Sequence, residues 1–314
     1  MLLIFNYEFY IQKGRRMKVL SIKEPYATLI KEKEKFVETR SFKTSYRGEL
    51  YIHASKETLK SKNKDFQKLI SNLSLNNGYI ICKCRLKDCI YMTDEYIENL
   101  KRENYQEYIC GNYKEGRYAW ILEDIEPLEH PIEVIGRLNI WNFYQEDEIM
   151  NLMNDIEYGW VDKFGNKKDI VDETYSDNYI LQSPKELMIS KIGVCWDQVE
   201  LERYYFKGYD IKTYFIAYYD DNKCPTHTFL TYKKEDKYYW FEHSWKKYKG
   251  IHEYTSIDLL LSDIKEKFIN DIKEDYNNKL DMDYLCLYEY KKPNYHISTE
   301  EFYKHCEGGF KIKK

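Results

Sequence analysis

Three strand-length stretches follow one another with almost nothing between them: IKTYFIAYY (211–219), PTHTFLTY (225–232) and KYYWFEHSW (237–245). Polar turns such as YDDNK and KKED are all that separates them. Connections that short join strands lying side by side and antiparallel. Just before them, GVCWDQVELERYYFKG (193–208) reads as a helix, with Gly193 allowing a tight approach at its start and Gly208 stopping it. A helix feeding an antiparallel sheet must pack on that sheet, which makes this half α+β. The order also fixes which side chains can meet. Cys195 falls in the first turn of the helix, His227 near the start of the second strand and Glu242 near the end of the third. Neighbouring antiparallel strands can bring His227 and Glu242 together. A helix N-terminus favours an anion, and so a thiolate, at Cys195.

The surrounding segments extend this half in both directions. SPKELMISKI has Ser183 as N-cap, Pro184 at the first helical position and Glu186 three residues after the cap, a capping-box pattern. Ile149, Leu152, Met153 and Ile156 recur at helical spacing and mark a boundary near 145. SIDLLLSDIKEKFI (256–269) carries an amphipathic packing stripe, and MDYLCLYEY (282–290) reads as a closing strand with Cys286 inside. Residues 291–314 are expected as a tail, with Ser298 and Glu301 capping a short helix and His305 and Cys306 on its surface.

The N-terminal half, 17–144, reads as a β-rich module. KVLSI (18–22), GELYIHAS (48–55), YIICKCRLKDCIYM (79–92), RYAWILED (117–124) and PIEVIGRLNIWNF (131–143) are strand-like. A helix carrying Leu59, Phe66, Leu69, Ile70 and Leu73 fits between the second and third. Many strands with few helices suggest a small barrel. In YIICKCRL the alternation puts Cys82 and Cys84 on one face beside Ile80 and Leu86. CxC on a strand lacks the knuckle spacing of structural zinc, so these are expected as core thiols and no metal is assigned. The strand pattern opening at Met17 also suggests that translation starts there and that 1–16 is an extension outside the fold.

Composition narrows the function classes. A formal net charge of −4 over 314 residues argues against a general polyanion binder. No apolar run approaches the roughly 18–20 residues that span a bilayer, so no membrane partner is expected and the default location is cytoplasmic. The 33 tyrosines accompany abundant Lys, Ile and Asn, a bias that an AT-rich genome produces, so they carry little weight as base-stacking groups.

LSIKEPYATLIKEKEKFVETRSFKTSYRGELYIHASK resembles the opening of an ASCH domain, a PUA-like β-barrel with flanking helices. Its G-x-K-x-x-E-x-R stretch is matched by KEKFVETR, with Lys35, Glu38 and Arg40 in place and Lys33 where the glycine stands. RYAWILEDIEPLEHPIEVIGRLNIWNF is similar to the closing strands. The resemblance implies that RNA or a modified nucleobase binds in a cleft beside the motif. Lys35 and Arg40 would hold phosphate or a base edge and Glu38 would accept from an exocyclic amine. Lys43, Arg47, His53 and Lys56 would extend a basic rim for backbone contacts. One branch of the superfamily hydrolyses acetylated cytidine with the motif lysine, a threonine and a distant glutamate. Glu38 stands where that branch has threonine, and no motif locates the distant glutamate.

GVCWD in turn resembles the Gly-x-Cys-Trp segment of papain-like and transglutaminase-like enzymes, and HTFLTYKKEDKYYWFEHSW resembles their His-to-acid hairpin. The chain is thus identified as an ASCH domain (17–144) joined to a transglutaminase-like domain (145–290). That resemblance implies a Cys195–His227–Glu242 triad attacking a protein or peptide-like amide without a cofactor, with Gln182 a weaker candidate for the oxyanion. His243 and Asp197 are nearby competitors for the base and acid. Whether the acyl group passes to water or to an amine stays open. Two other readings stand beside it: a non-catalytic RNA-binding protein whose second domain docks a partner, and a nucleoside amidohydrolase acting through the ASCH domain.

Overall fold

Alternating apolar residues build the first of two compact units, residues 16–143. A computed structural model of the chain describes residues 16–220, 224–276 and 279–312, so the expected extension lies, apart from Arg16, outside the described residues. The elements of the first unit are β1 (Met17–Glu24), α1 (Tyr26–Lys31), β2 (Val37–Arg40), β3 (Gly48–Thr58), α2 (Lys64–Ile70), β4 (Tyr79–Tyr91), α3 (Asp94–Glu103), α4 (Tyr105–Ile109), β5 (Tyr118–Glu133) and β6 (Ile140–Phe143). Six strands form one mixed sheet in the order β2-β5-β4-β3-β1-β6. Only β1 and β3 run parallel. Register shifts along the β4–β5 pairing bend the sheet around its core. That core joins Leu20, Ile22, Leu50, Ile52, Leu86, Trp120 and Leu122 with Cys82 and Cys84. Burial pushes the Cys84 thiol up to about 12, and Cys82 upward too, so both are inert core groups.

The stretch expected as one strand over 131–143 is two pieces. Its first three residues end β5, and β6 starts only at Ile140. Between them Gly136 passes so close to His53 that a Cβ would lie 2.3 Å from the ring, and Asn139 takes a left-handed φ of 60°. Neither conformation suits a continuous ladder. β2 escapes the alternation rule because three of its four residues, VETR, are polar. α3 buries only Ile97, which leaves little apolar pattern to read.

The second unit begins at Tyr144. It contains α5 (Glu146–Met153), β7 (Trp160–Val161), β8 (Lys167–Lys168), α6 (Tyr175–Asn178), α7 (Pro184–Ser190), α8 (Cys195–Tyr205), β9 (Asp210–Tyr218), β10 (Thr226–Lys234), β11 (Lys237–Glu242), β12 (Gly250–Tyr254), α9 (Ile257–Ile272), β13 (Leu285–Tyr290), α10 (Thr299–Glu307) and β14 (Phe310–Lys311). The main sheet is antiparallel throughout, in the order β12-β11-β10-β9-β13-β14. Phe215 and Ala217 of β9 join Val194, Cys195, Trp196 and Val199 in one cluster. Tyr214 and Ile216, on the opposite pleat, join Phe229, Trp240 and the Leu260–Ile264–Phe268 stripe of α9. Helices therefore cover both faces of the sheet. This explains why β9 is buried at every position from Thr213 to Tyr218, where a half-exposed strand would alternate.

Residues 291–312, expected as a tail, complete this unit. Phe302 of α10 stacks on Trp196 with ring centroids 4.3 Å apart, and β14 adds to the sheet beside β13. Cys306, expected at the surface, is fully buried. It lies four residues after Phe302 and so shares its inward face. His305 is half-buried, and its Nε2 bonds the Lys291 carbonyl at 2.7 Å. No helix among the described residues is long and apolar enough to cross a membrane. Phe302→Ala is expected to cost about 3–5 kcal/mol, as for other buried aromatic truncations, in urea denaturation of the full chain.

Candidate functional site

The start of α8 is built without an ordinary cap. Val194 occupies the N-cap position, where a serine or aspartate would normally serve. Asp197, in the first turn, reaches back to accept the Val194 N–H at 3.0 Å. Its carboxylate, fully buried, also accepts the Tyr179 hydroxyl and the Gln182 N–H, both at 2.9 Å. Burial raises its pKa to about 7, against the pull of those three donors. Gly193 is required just ahead. A Cβ there would lie 2.7 Å from Leu187 and 2.8 Å from Asp197. These contacts fix Cys195 at the first helical position, where its own N–H has no partner among the described residues.

His227 sits beside this thiol, near enough for the thiol to help raise the imidazole pKa. Its Nε2 is 2.8 Å from Glu242 Oε2, so the nitrogen left for Cys195 is Nδ1. The other Glu242 oxygen accepts the Ser244 hydroxyl at 3.0 Å and the Trp245 N–H at 2.7 Å. All three members of the trio are buried, Cys195 at 4%, His227 at 7% and Glu242 at 2% exposure. Burial alone would lower the imidazole pKa. The Glu242 charge, its bond to the ring and the neighbouring Cys195 thiol outweigh it and lift His227 to about 10. Burial likewise disfavours charge on Glu242, but the imidazolium and the three donors hold its carboxyl below the usual range. The trio expected from the sequence therefore comes together.

The two competitors are occupied elsewhere. His243 donates from Nδ1 to Gln198 Oε1 at 2.6 Å and faces the Lys249 ammonium at 3.0 Å through Nε2. Burial, aided by Lys249, lowers its pKa to about 4, so it is neutral. Asp197 spends its oxygens on the helix start. Gln182 donates its amide to Ile192 O at 2.9 Å and accepts Ser190 at 2.7 Å, which ties down the loop before the helix. One group escaped the sequence reading. Glu202, seven residues after Cys195 on the same helix, is buried with Oε2 unpartnered. Burial, then the nearby Glu242 charge, raises its pKa well above the usual carboxylate range. The spacing of seven was the available signal. A cleft of about 460 Å³ opens onto the trio through His227, walled by Tyr158, Thr226, Trp245, Phe268 and Ile272.

The first unit holds a separate cleft of about 480 Å³, walled in part by Tyr26, Lys35, Glu38, Arg40, Phe42 and Arg117. Glu38 and Arg40 project from β2 as an ion pair at 3.1 Å, and Arg40 also bonds Ser21 O at 2.9 Å. Lys35 departs from expectation. It is almost wholly buried, donates to the Val37 carbonyl and pairs with Glu107 at 3.4 Å, so it is not a free cation for phosphate. Glu107 of α4 also accepts the Phe36 N–H at 2.6 Å and the Tyr113 hydroxyl at 2.7 Å. Nothing in the sequence marks this partner, 72 residues from Lys35.

The expected basic rim is only partly present. His53 is buried against Ser21, and burial lowers its pKa to about 4, so it is a neutral interior group. Arg47 pairs with Asp88 at 2.9 Å, away from the cleft lining. Lys43 and Lys56 are exposed but do not line the cleft. Arg117, which does, was not picked out. It lies in an ordinary-looking strand start, RYAW, with no charge pattern around it.

Residues 20–132 match the family model of the ASCH domain, a span that includes the β2 motif and every residue lining this cleft except Leu138. The match ends before the second unit. No curated protein matches the chain. Asp197→Asn leaves the buried Val194 N–H without its acceptor. It is expected to lower stability by about 1–3 kcal/mol in chemical denaturation, the usual cost of an unsatisfied buried group.

Proposed function

We propose that the second unit is a thiol acyl-transfer enzyme acting on an amide carbonyl, and that the ASCH domain binds RNA or a nucleobase. The observation that carries the first part is His227, buried beside Cys195 and bonded through Nε2 to Glu242. His227 Nδ1 takes the Cys195 proton, and Glu242 holds the ring orientation and balances the imidazolium. The thiolate attacks the carbonyl carbon and forms the S–C bond. The oxyanion draws on the free Cys195 N–H at the helix start. Collapse breaks the C–N bond, and the imidazolium gives its proton to the departing amine. His227 then deprotonates water or an amine, which attacks the thioester and releases the thiol. No cofactor enters this chemistry. Gln182 contributes to the oxyanion site by fixing the loop that precedes the helix.

Binding at the ASCH domain is supported by the Glu38–Arg40 pair in the cleft wall, which offers an acceptor and donors side by side to a base edge. The amidohydrolase alternative has less support. A carboxylate, Glu38, occupies the place of that branch's threonine, although Lys35 does meet a distant glutamate, Glu107.

Site-resolved mass spectrometry of iodoacetamide labelling tests the thiol reading. Cys195 is expected to react fastest of the eight cysteines at pH 7 and to slow at least tenfold in His227→Ala, in line with acid–base contributions of about 10²–10⁴. Equal rates in the two proteins would refute the activated thiol. On an amide substrate, turnover is expected to fall as pH rises through about 10, where His227 loses the proton it must deliver. Glu242→Gln removes the charge that raises this pKa and should move the fall to lower pH.

A further inference from the structure

The cations lining the ASCH cleft are matched by carboxylates with one exception. Lys23 pairs with Glu57 at 2.6 Å, Lys35 with Glu107 and Arg40 with Glu38. Elsewhere on this unit Arg47, Arg85 and Arg102 also have carboxylate partners. Arg117 does not, among the described residues. It is half-buried, and its Nε and Nη2 donate to the Asn112 and Thr39 carbonyls, each at 3.1 Å. Those two bonds lock the guanidinium plane without neutralising it, and they leave Nη1 without a partner among the described residues. A half-buried cation held rigid at a cavity wall, with donors to spare, is suited to an anion brought by the ligand.

We infer that Arg117 is a phosphate contact, so that the cleft takes a phosphorylated nucleotide unit and not a free base or nucleoside. The inference rests on the reading of this cleft as an RNA or nucleobase site. The cleft then has two kinds of recognition. Glu38 and Arg40, already matched, present donor and acceptor to a base edge, while unmatched Arg117 supplies the charge for the phosphate. Volume agrees with one nucleotide: about 480 Å³ lies within the range of small-molecule sites and is far too little for a duplex. The phosphate comes either from a mononucleotide or from one unit of a single strand.

Calorimetric titration of the full chain separates these outcomes, using the four ribonucleosides, their 5′-monophosphates, a mixed-sequence single-stranded RNA octamer and inorganic phosphate. A monophosphate or the octamer is expected to bind at least tenfold tighter than any nucleoside. Arg117→Gln should erase that advantage while leaving nucleoside affinity unchanged, and Arg117→Lys should restore part of it. Monophosphate binding identifies a mononucleotide site, and octamer binding alone identifies a strand. For the octamer, Arg117→Gln should also reduce the salt slope by about 0.7, the loss of one phosphate contact. A merely structural arginine would leave that slope unchanged. Equal affinities for nucleosides and monophosphates overturn the phosphate assignment and leave the base reading standing. Retention of the advantage in a folded Arg117→Gln protein overturns the role of Arg117. If that variant unfolds, a wild-type octamer salt slope near zero does the same. Inorganic phosphate binding as tightly as any nucleotide reduces the feature to a simple anion site. Binding of none overturns both the inference and the reading beneath it.

Discussion

The carboxylate of Asp197 carries no chemistry in the proposed reaction, yet the second unit's site hangs from it. Three donors from two stretches of chain converge on it: the Tyr179 hydroxyl and the Gln182 N–H from one, and the Val194 N–H from the other. Without a polar N-cap, α8 depends on this inward carboxylate to start where it does. Because Cys195 is the first residue after the N-cap, its position follows directly. Gly193 and Gln182 belong to the same arrangement, one by letting the chain pass close and the other by tying residues 190–192. The cost is a charge in a fully buried place, and it shows in a pKa lifted to about 7.

That cost has a direction with pH. The folded chain keeps a proton on Asp197 that the unfolded chain surrenders above 3.8, so this group weakens folding as pH climbs from there to about 7. His227 acts over the next interval. Its folded value near 10 exceeds the usual 6.5, so the stability it contributes is complete below 6.5 and lost by about 10. Glu242, held below the usual 4.5, stabilises above that value and loses its contribution on the acid side. Glu242 and His227 therefore both contribute fully between about pH 4.5 and 6.5, while Asp197 works against folding across that same interval. A site that concentrates two carboxylates and an imidazole in the interior thereby restricts where the fold is most secure.

Much of this was legible in the residues. The spacing of polar turns gave β9, β10 and β11 as neighbours, and the capping box of α7 is present with both its reciprocal bonds. Cys195, His227 and Glu242 were legible because each lies at an element end, where short-range pattern is strong. What the pattern missed depends on distance in space. Glu107 meets Lys35 across 72 residues, and a buried lysine looks like any other until its partner is known. His53 sits on a strand between apolar neighbours, and only the approach of Gly136 reveals that it points inward. Likewise α10 reads as a short polar helix, because the two residues that anchor it, Phe302 and Cys306, make a stripe too narrow to register.

The two sites differ in how their charges are settled, and that difference bears on what each can do. At the trio, Glu242 faces His227, and Glu202, whose Oε2 has no partner among the described residues, has its pKa pushed well up by burial. A site closed in this way holds its reacting groups ready and leaves specificity to the cleft walls, Trp245 and Phe268 among them. The ASCH cleft is settled everywhere except at Arg117. An unmatched guanidinium with fixed geometry gains most from an anion that arrives, because the ligand supplies the only charge missing. Under the proposed reading the first site would act on a neutral carbonyl, and the second would hold something charged.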